Sequence, residues 1–165
     1  MANKPNGTTT TDFQPAFKRV AQTNDFDCQF AVIGMLANKT ATEVHQVAIS
    51  KFKLPPRGPW WLYVNEEMIA GLCAHFGWAA TLYKVVNRLE EVSDIAILMV
   101  DYDAEKDVGR HVLFNRLRDA AGIEYIIDPA YWLNDQPAKQ IRMDVKGVPP
   151  PLWYIGVQPM KKPGK

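Results

Sequence analysis

Among the 165 residues are two cysteines, Cys28 and Cys73, and three histidines, His45, His75 and His111. A thiol paired with an imidazole is the smallest set that performs nucleophilic acyl transfer: sulfur attacks a carbonyl, and the ring takes and later returns the proton. Cys28 opens an apolar run from Phe30 to Ala37, with Asp25 and Asp27 just ahead of it. That is the pattern of a buried helix with a carboxylate offered as its cap, and it puts Cys28 in or just before the first turn. There the helix dipole and free N–H groups favour thiolate over thiol. Cys73, between Leu72 and Ala74 on an apolar helix face, reads as an inert small hydrophobe.

His45 and His75 fall inside predicted helices and read as partly packed helix faces. His111 differs, because it opens the strand Val112-Leu-Phe114 directly after the charged loop 104–110, at a sheet end where a cleft would form. The next strand closes with Tyr125-Ile-Ile-Asp128-Pro129. A hairpin turning between Asp119 and Gly122 would set Asp128 beside His111, where a carboxylate orients the imidazole and fixes its tautomer. Gln22 adds an amide that, with the backbone N–H of Cys28, would hold a developing oxyanion. Taken singly, Asp128-Pro129 is also an ordinary turn and Gln22 an ordinary surface residue.

The elements that must position these groups follow from patterning. Thr40-Ala-Thr-Glu43 is a capping box opening a second helix through Phe52. Leu54-Pro-Pro-Arg-Gly-Pro-Trp-Trp61 must be loop, and its aromatic cluster reads as packing. Asn65-Glu-Glu67 starts a third helix, with Met68, Ile69, Leu72, Cys73 and Phe76 at helical spacing and Gly77 as its stop. Thereafter Trp78 to Val86, Ile95 to Asp101, His111 to Leu117, Ile123 to Ile127 and Leu152 to Val157 read as strands. Helices first and an antiparallel sheet second make an α+β domain over residues 16–158, between a flexible arm (1–15) and a short tail (159–165).

In order, Gln22-Thr-Asn-Asp-Phe-Asp-Cys28 with its apolar helix, His111-Val-Leu-Phe and Tyr125-Ile-Ile-Asp128-Pro-Ala resemble a known family over about residues 19–133. It is that of the papain-like cysteine peptidases that remove double-glycine leader peptides from bacteriocins, with their stand-alone relatives. The resemblance implies a papain-like α+β fold and a cysteine peptidase-like hydrolase acting on a peptide or protein without a cofactor. It assigns Cys28 as nucleophile, His111 as base and acid, Asp128 as the acid that orients the histidine, and Gln22 as oxyanion donor. Gln29 departs from the glycine that family usually carries after its nucleophile, and its side chain would narrow the cleft or change the acyl group accepted. The leader peptidases also usually precede a membrane-spanning region and an ATPase. This chain ends without either, so a free-standing hydrolase, or a bacterial effector or toxin, is expected. The same fold also serves silent peptide-binding modules, deamidases and acyl transferases, since one thioester intermediate is common to the enzymes.

Composition narrows the partners. Nineteen Lys and Arg against eighteen Asp and Glu leave a formal charge of +1, which gives no global field for nucleic acid or an anionic membrane. Neither cysteine has a Cys or His at a metal-ligand spacing, so no metal is expected. The polar, Thr-rich N-terminus is not a secretory signal, and no apolar stretch approaches the roughly 20 residues of a membrane span. A cytoplasmic protein, or one delivered by a leaderless route, is the expectation. An inhibitor or immunity protein has no signature in these residues.

Overall fold

The computed structural model describes residues 13–147 and 153–161. Helix α1 (Cys28–Ala37) starts at the cysteine, and every residue from Cys28 to Leu36 is buried, as the all-round apolar run requires. The capping box opens α2 (Ala41–Phe52): Thr40 Oγ1 accepts from the Glu43 N–H at 3.1 Å, and Glu43 Oε2 accepts from the Thr40 N–H at 2.8 Å. The proline-rich loop then turns into a 3-10 segment (Trp60–Tyr63) that drives Trp60 into the core against Phe30 and His45. Helix α3 (Glu66–His75) is capped by Asn65, whose Oδ1 accepts from the Met68 N–H at 2.9 Å. It stops at Gly77, whose φ of 87° an L side chain would strain.

The remaining elements are β1 (Trp78–Ala80), β2 (Lys84–Val85), β3 (Ile95–Asp103), β4 (Val108–Leu117), β5 (Ile123–Ile127), the short helix α4 (Pro137–Gln140), β6 (Ile141–Arg142) and β7 (Trp153–Pro159). Among the described residues they form one antiparallel sheet in the order β1-β7-β3-β4-β5-β6, with β2 also paired to β7. Alternation gives the sheet two apolar faces. Ile97, Leu113, Tyr125, Ile127 and Ile155 join the three helices in the main core. Ala96, Leu98, Val112, Phe114 and Ile126 pack beneath Val86, Leu89, Val92 and Val145 on the other side. Each large fully buried side chain, such as Phe30, Ile33 or Leu113, contributes about 1.5–3 kcal/mol.

Three expectations need correction. The strand expected over 78–86 breaks between Ala80 and Lys84, because Thr81 turns to Gly156 and the Tyr83 N–H donates to Glu66 Oε2 at 2.7 Å. His111 is the fourth residue of β4, not its first, because the charged loop shrinks to residues 104–107 and Val108 already pairs with Asp103. In the β4–β5 hairpin Leu113 lies opposite Ile127, which continues to Val112 opposite Asp128. A single residue of register sends a side chain to the other face, so Asp128 shares the side of Val112 and Arg110 instead of that of His111.

Of the expected arm, residues 1–12 lie outside the described residues. Phe13 already packs on the core, its ring 5.0 Å from that of Tyr125, and the Ala16 N–H donates to the Tyr125 hydroxyl at 2.7 Å. Of the expected tail, Pro159 ends β7, and the Met160 N–H donates to the Gly77 carbonyl at 2.8 Å. Residues 162–165 lie outside the described residues.

Candidate active site

The first turn of α1 and the strand β4 meet at a groove of about 750 Å³. Cys28 and His111 line it, each almost wholly buried at 4% and 7% exposure. Cys28 Sγ lies 3.4 Å from His111 Nδ1, and the His111 backbone N–H donates to the same sulfur at 3.4 Å. The far ring nitrogen, Nε2, is 2.6 Å from the Tyr83 hydroxyl, and the two rings stack at 6.2 Å. The break between β1 and β2 is what delivers Tyr83 here. Within a run that reads as one strand, nothing marked that residue out.

The expected Asp128–His111 contact is not made. The Asp128 carboxylate takes both arms of the Arg110 guanidinium, at 2.5 and 3.0 Å, and accepts from the Ala130 N–H at 2.9 Å. Arg110 also reaches Asp101 and lies over the Trp132 ring at 5.4 Å. Asp128 thus fixes a cation at the groove, while the seat at Nε2 of the histidine is held by a phenol.

Gln22 does not line the groove. Its backbone N–H donates to the Pro129 carbonyl at 2.8 Å and its Nε2 to the Asn24 carbonyl at 2.7 Å, while its buried Oε1 has no hydrogen-bond partner. Asp27 occupies the N-cap position but makes no side-chain bond to the helix. Its oxygens turn back to the Thr23 N–H and hydroxyl and to the Asn24 N–H, closing the loop ahead of Cys28. No side chain therefore caps the first-turn N–H groups, which have no acceptor within the helix, and the Gln29 N–H turns to the Cys28 sulfur. Gln29, the second helical residue, is 7% exposed, and the Cys28 thiol donates to its Oε1 at 3.3 Å.

Electrostatics reverse the expected acidity. Burial pushes the Cys28 thiol up to about 11; the backbone N–H groups of His111 and Gln29 and the Arg110 charge pull it only part of the way back. Burial, then the neighbouring Arg110 charge, pulls His111 down to about 4. Both shifts favour neutral thiol and neutral imidazole over the thiolate–imidazolium pair. A helix N-terminus acidifies a thiol that water can reach, but here loss of hydration outweighs it. The Tyr83 hydroxyl, also pushed up by burial, stays protonated.

Aromatic rings wall the groove. Phe26, stacked on Trp61 at 4.0 Å, lines it together with Trp132 and Trp153. His45 and His75 are elsewhere: His45 sits between Phe30 and Trp60 with a buried, unpartnered Nε2, and exposed His75 ends α3. No group of three or more His, Cys, Asp or Glu arranged to hold a metal ion occurs among the described residues, and no described helix is long and apolar enough to cross a membrane.

No family model and no curated protein matches the chain. Among solved structures it is similar to a double-glycine motif protease from an AMS/PCAT transporter, in complex with the leader peptide, at 13% identity and a TM-score of 0.49 over 91% of this chain and 96% of that one.

Proposed function

We propose that the protein is a papain-like cysteine hydrolase that cleaves a peptide bond through a Cys28–His111 dyad. The observation that carries this reading is the 3.4 Å approach of Cys28 Sγ to His111 Nδ1 in a groove lined by aromatic rings. A peptide lying in this groove against Phe26, Trp61 and Trp132 presents its carbonyl to the sulfur. Burial disfavours a preformed thiolate, so attack and proton transfer are coupled: the S–C bond forms as the thiol proton passes to His111 Nδ1. Tyr83 is the positioning residue: its hydroxyl oxygen accepts from Nε2–H, which fixes the tautomer that leaves Nδ1 open to the thiol proton and supports the imidazolium once it forms. Arg110, locked by Asp128, opposes that imidazolium and favours the negative charge that develops at sulfur and oxygen.

His111 then returns its proton to the leaving amine as the C–N bond breaks. Water, deprotonated by the same ring, attacks the thioester, and His111 passes that proton to the Cys28 sulfur as the C–S bond breaks and the acid leaves. Gln22 braces the loop before the nucleophile through its bonds to Asn24 and Pro129. Incubation with a mixed peptide library, read by mass spectrometry, tests the reading. Cleavage by the wild type that disappears in Cys28→Ala and in His111→Ala, both still folded by circular dichroism, is expected. Cleavage at the wild-type rate in Cys28→Ala would overturn it.

A further inference from the structure

The groove that holds the dyad carries a negative charge that the chain as a whole does not. Asp25, Glu66, Asp101 and Asp107 line it against one guanidinium, Arg110, in a protein whose formal charge is +1. Arg110 is already claimed, since Asp101 and Asp128 hold it between them. The other three carboxylates each spend one oxygen on a neutral donor: Asp25 accepts from the Tyr131 hydroxyl at 2.8 Å, Glu66 from the Tyr83 N–H at 2.7 Å and Asp107 from the Tyr102 hydroxyl at 2.6 Å. None of these three makes an ion pair among the described residues. We infer that the groove selects peptides with lysine or arginine beside the bond that is cut. The inference rests on the proposed function and narrows its substrate from a peptide to a cationic one.

The strands supply the apolar part of such a site. Trp153 of β7, Met99 of β3 and His111 of β4 lie directly opposite one another across the sheet, so their side chains share one face. Gly109 is the next residue of β4 on that face, and Met99 fills the space a side chain there would need: a Cβ would stand 2.5 Å from its Cγ and 2.8 Å from its sulfur. Tyr102 packs edge-on against Trp153 at 4.9 Å and holds Asp107 on its hydroxyl. Met99, Trp153 and Tyr102 thus carry apolar and aromatic surface from the histidine to a carboxylate without a cation. Lysine and arginine match that surface, because the methylene stem covers apolar atoms while the charged head meets ring faces and a carboxylate. An aliphatic side chain gains only the apolar part, and an acidic one is repelled. Arg110 shows the same combination within the protein, lying over the Trp132 ring at 5.4 Å with Asp101 and Asp128 at its guanidinium.

Binding and cleavage are read separately. The whole chain carrying Cys28→Ala, which forms no acyl-enzyme, is titrated with three peptides of the form acetyl-Gly-Leu-Xaa-Ala-Xaa-Leu-Gly-amide, in which Xaa is lysine, glutamine or glutamate. In nitrogen-15 NMR spectra the indole N–H signals of Trp61, Trp132 and Trp153 report the groove, and that of Trp78, bonded to the Leu36 carbonyl at 3.0 Å, is the internal reference. The lysine peptide is expected to move the groove signals and to bind about tenfold more tightly than the glutamine peptide, with the glutamate peptide weakest. Glu66→Gln and Asp107→Asn keep the acceptor oxygen and remove the charge. Each is expected to narrow the gap between lysine and glutamine by about two- to fivefold, the worth of one exposed ion pair. Equal binding of the three peptides, tighter binding of the glutamate peptide, a lysine preference untouched by both variants, or no movement of the groove signals overturns the inference. Cleavage of a mixed library by the wild type with lysine and arginine no commoner beside the cut bonds than in the library also overturns it, and leaves the proposed function standing. A library left uncut while the lysine peptide binds in the groove overturns the proposed function instead.

Discussion

Two thiols and two imidazoles are withdrawn from solvent in this small domain: Cys28 and His111 are buried at the groove, while Cys73 is buried in the core and His45 is half-buried against the core rings Phe30 and Trp60. Cys28 and Cys73 both have their acidity suppressed by burial, to about 11 and about 12, and His45 and His111 are both made less basic by it. Burial alone therefore distinguishes nothing. What separates Cys28 is company: an imidazole at 3.4 Å, two backbone N–H groups, a guanidinium nearby and an opening 750 Å³ in volume. Cys73 has only a backbone group of its own helix, and His45 has aromatic faces and no partner at Nε2. A suppressed thiol is reactive only where a base can take its proton at the moment of attack.

Removing each thiol is the bluntest way to break the comparison. Cys28→Ala should lower acyl transfer by at least about 10³-fold, whereas Cys73→Ala should leave it intact and cost about 1 kcal/mol of stability in a urea titration. His111→Ala should lower acylation by about 10²- to 10⁴-fold with the fold retained by circular dichroism.

Acid sharpens the contrast between folded and unfolded imidazole. Below pH 6.5 the unfolded chain protonates His111, while the folded protein refuses that proton until about pH 4. Stability is thus whole above pH 6.5 and falls as pH drops towards 4, by at most about 3 kcal/mol from this residue. Urea titrations across that range should show a shallower fall in His111→Asn than in the wild type.

Tyr83→Phe keeps the ring stacked on His111 and removes only the hydroxyl. Acylation should drop about tenfold, equivalent to about 1.4 kcal/mol, and the acid limb of its pH profile should move below the wild-type position. A residue that merely packs would leave that limb in place. The smallest effect is expected at His45→Phe, which removes an unsatisfied nitrogen from an aromatic box: unchanged acylation and stability within about 1 kcal/mol of wild type, or better.

The helices were legible because their signals are local. The carboxylate before Cys28, the Thr40–Glu43 box and the Asn65 cap each lie within one turn of what they specify. Cys28 and His111 were legible as a pair because few other residue types perform this chemistry. Their surroundings were not, since these depend on long-range register. One residue of offset in β4–β5 moved Asp128 from the histidine to Arg110, and a break after Ala80 carried Tyr83 to the vacated seat. The acidity of Cys28 is not legible in the sequence, because helix dipole and free N–H groups can be read along the chain, while burial by β4 cannot.

The most direct measurement is to map the thioester left by 4-nitrophenyl acetate, quenched in acid and digested, in the wild type and in His111→Ala. The account predicts acetyl on Cys28 and none on Cys73 in the wild type, and none on either thiol in the variant. Equal labelling of the two cysteines, or undiminished labelling of Cys28 without His111, would contradict it.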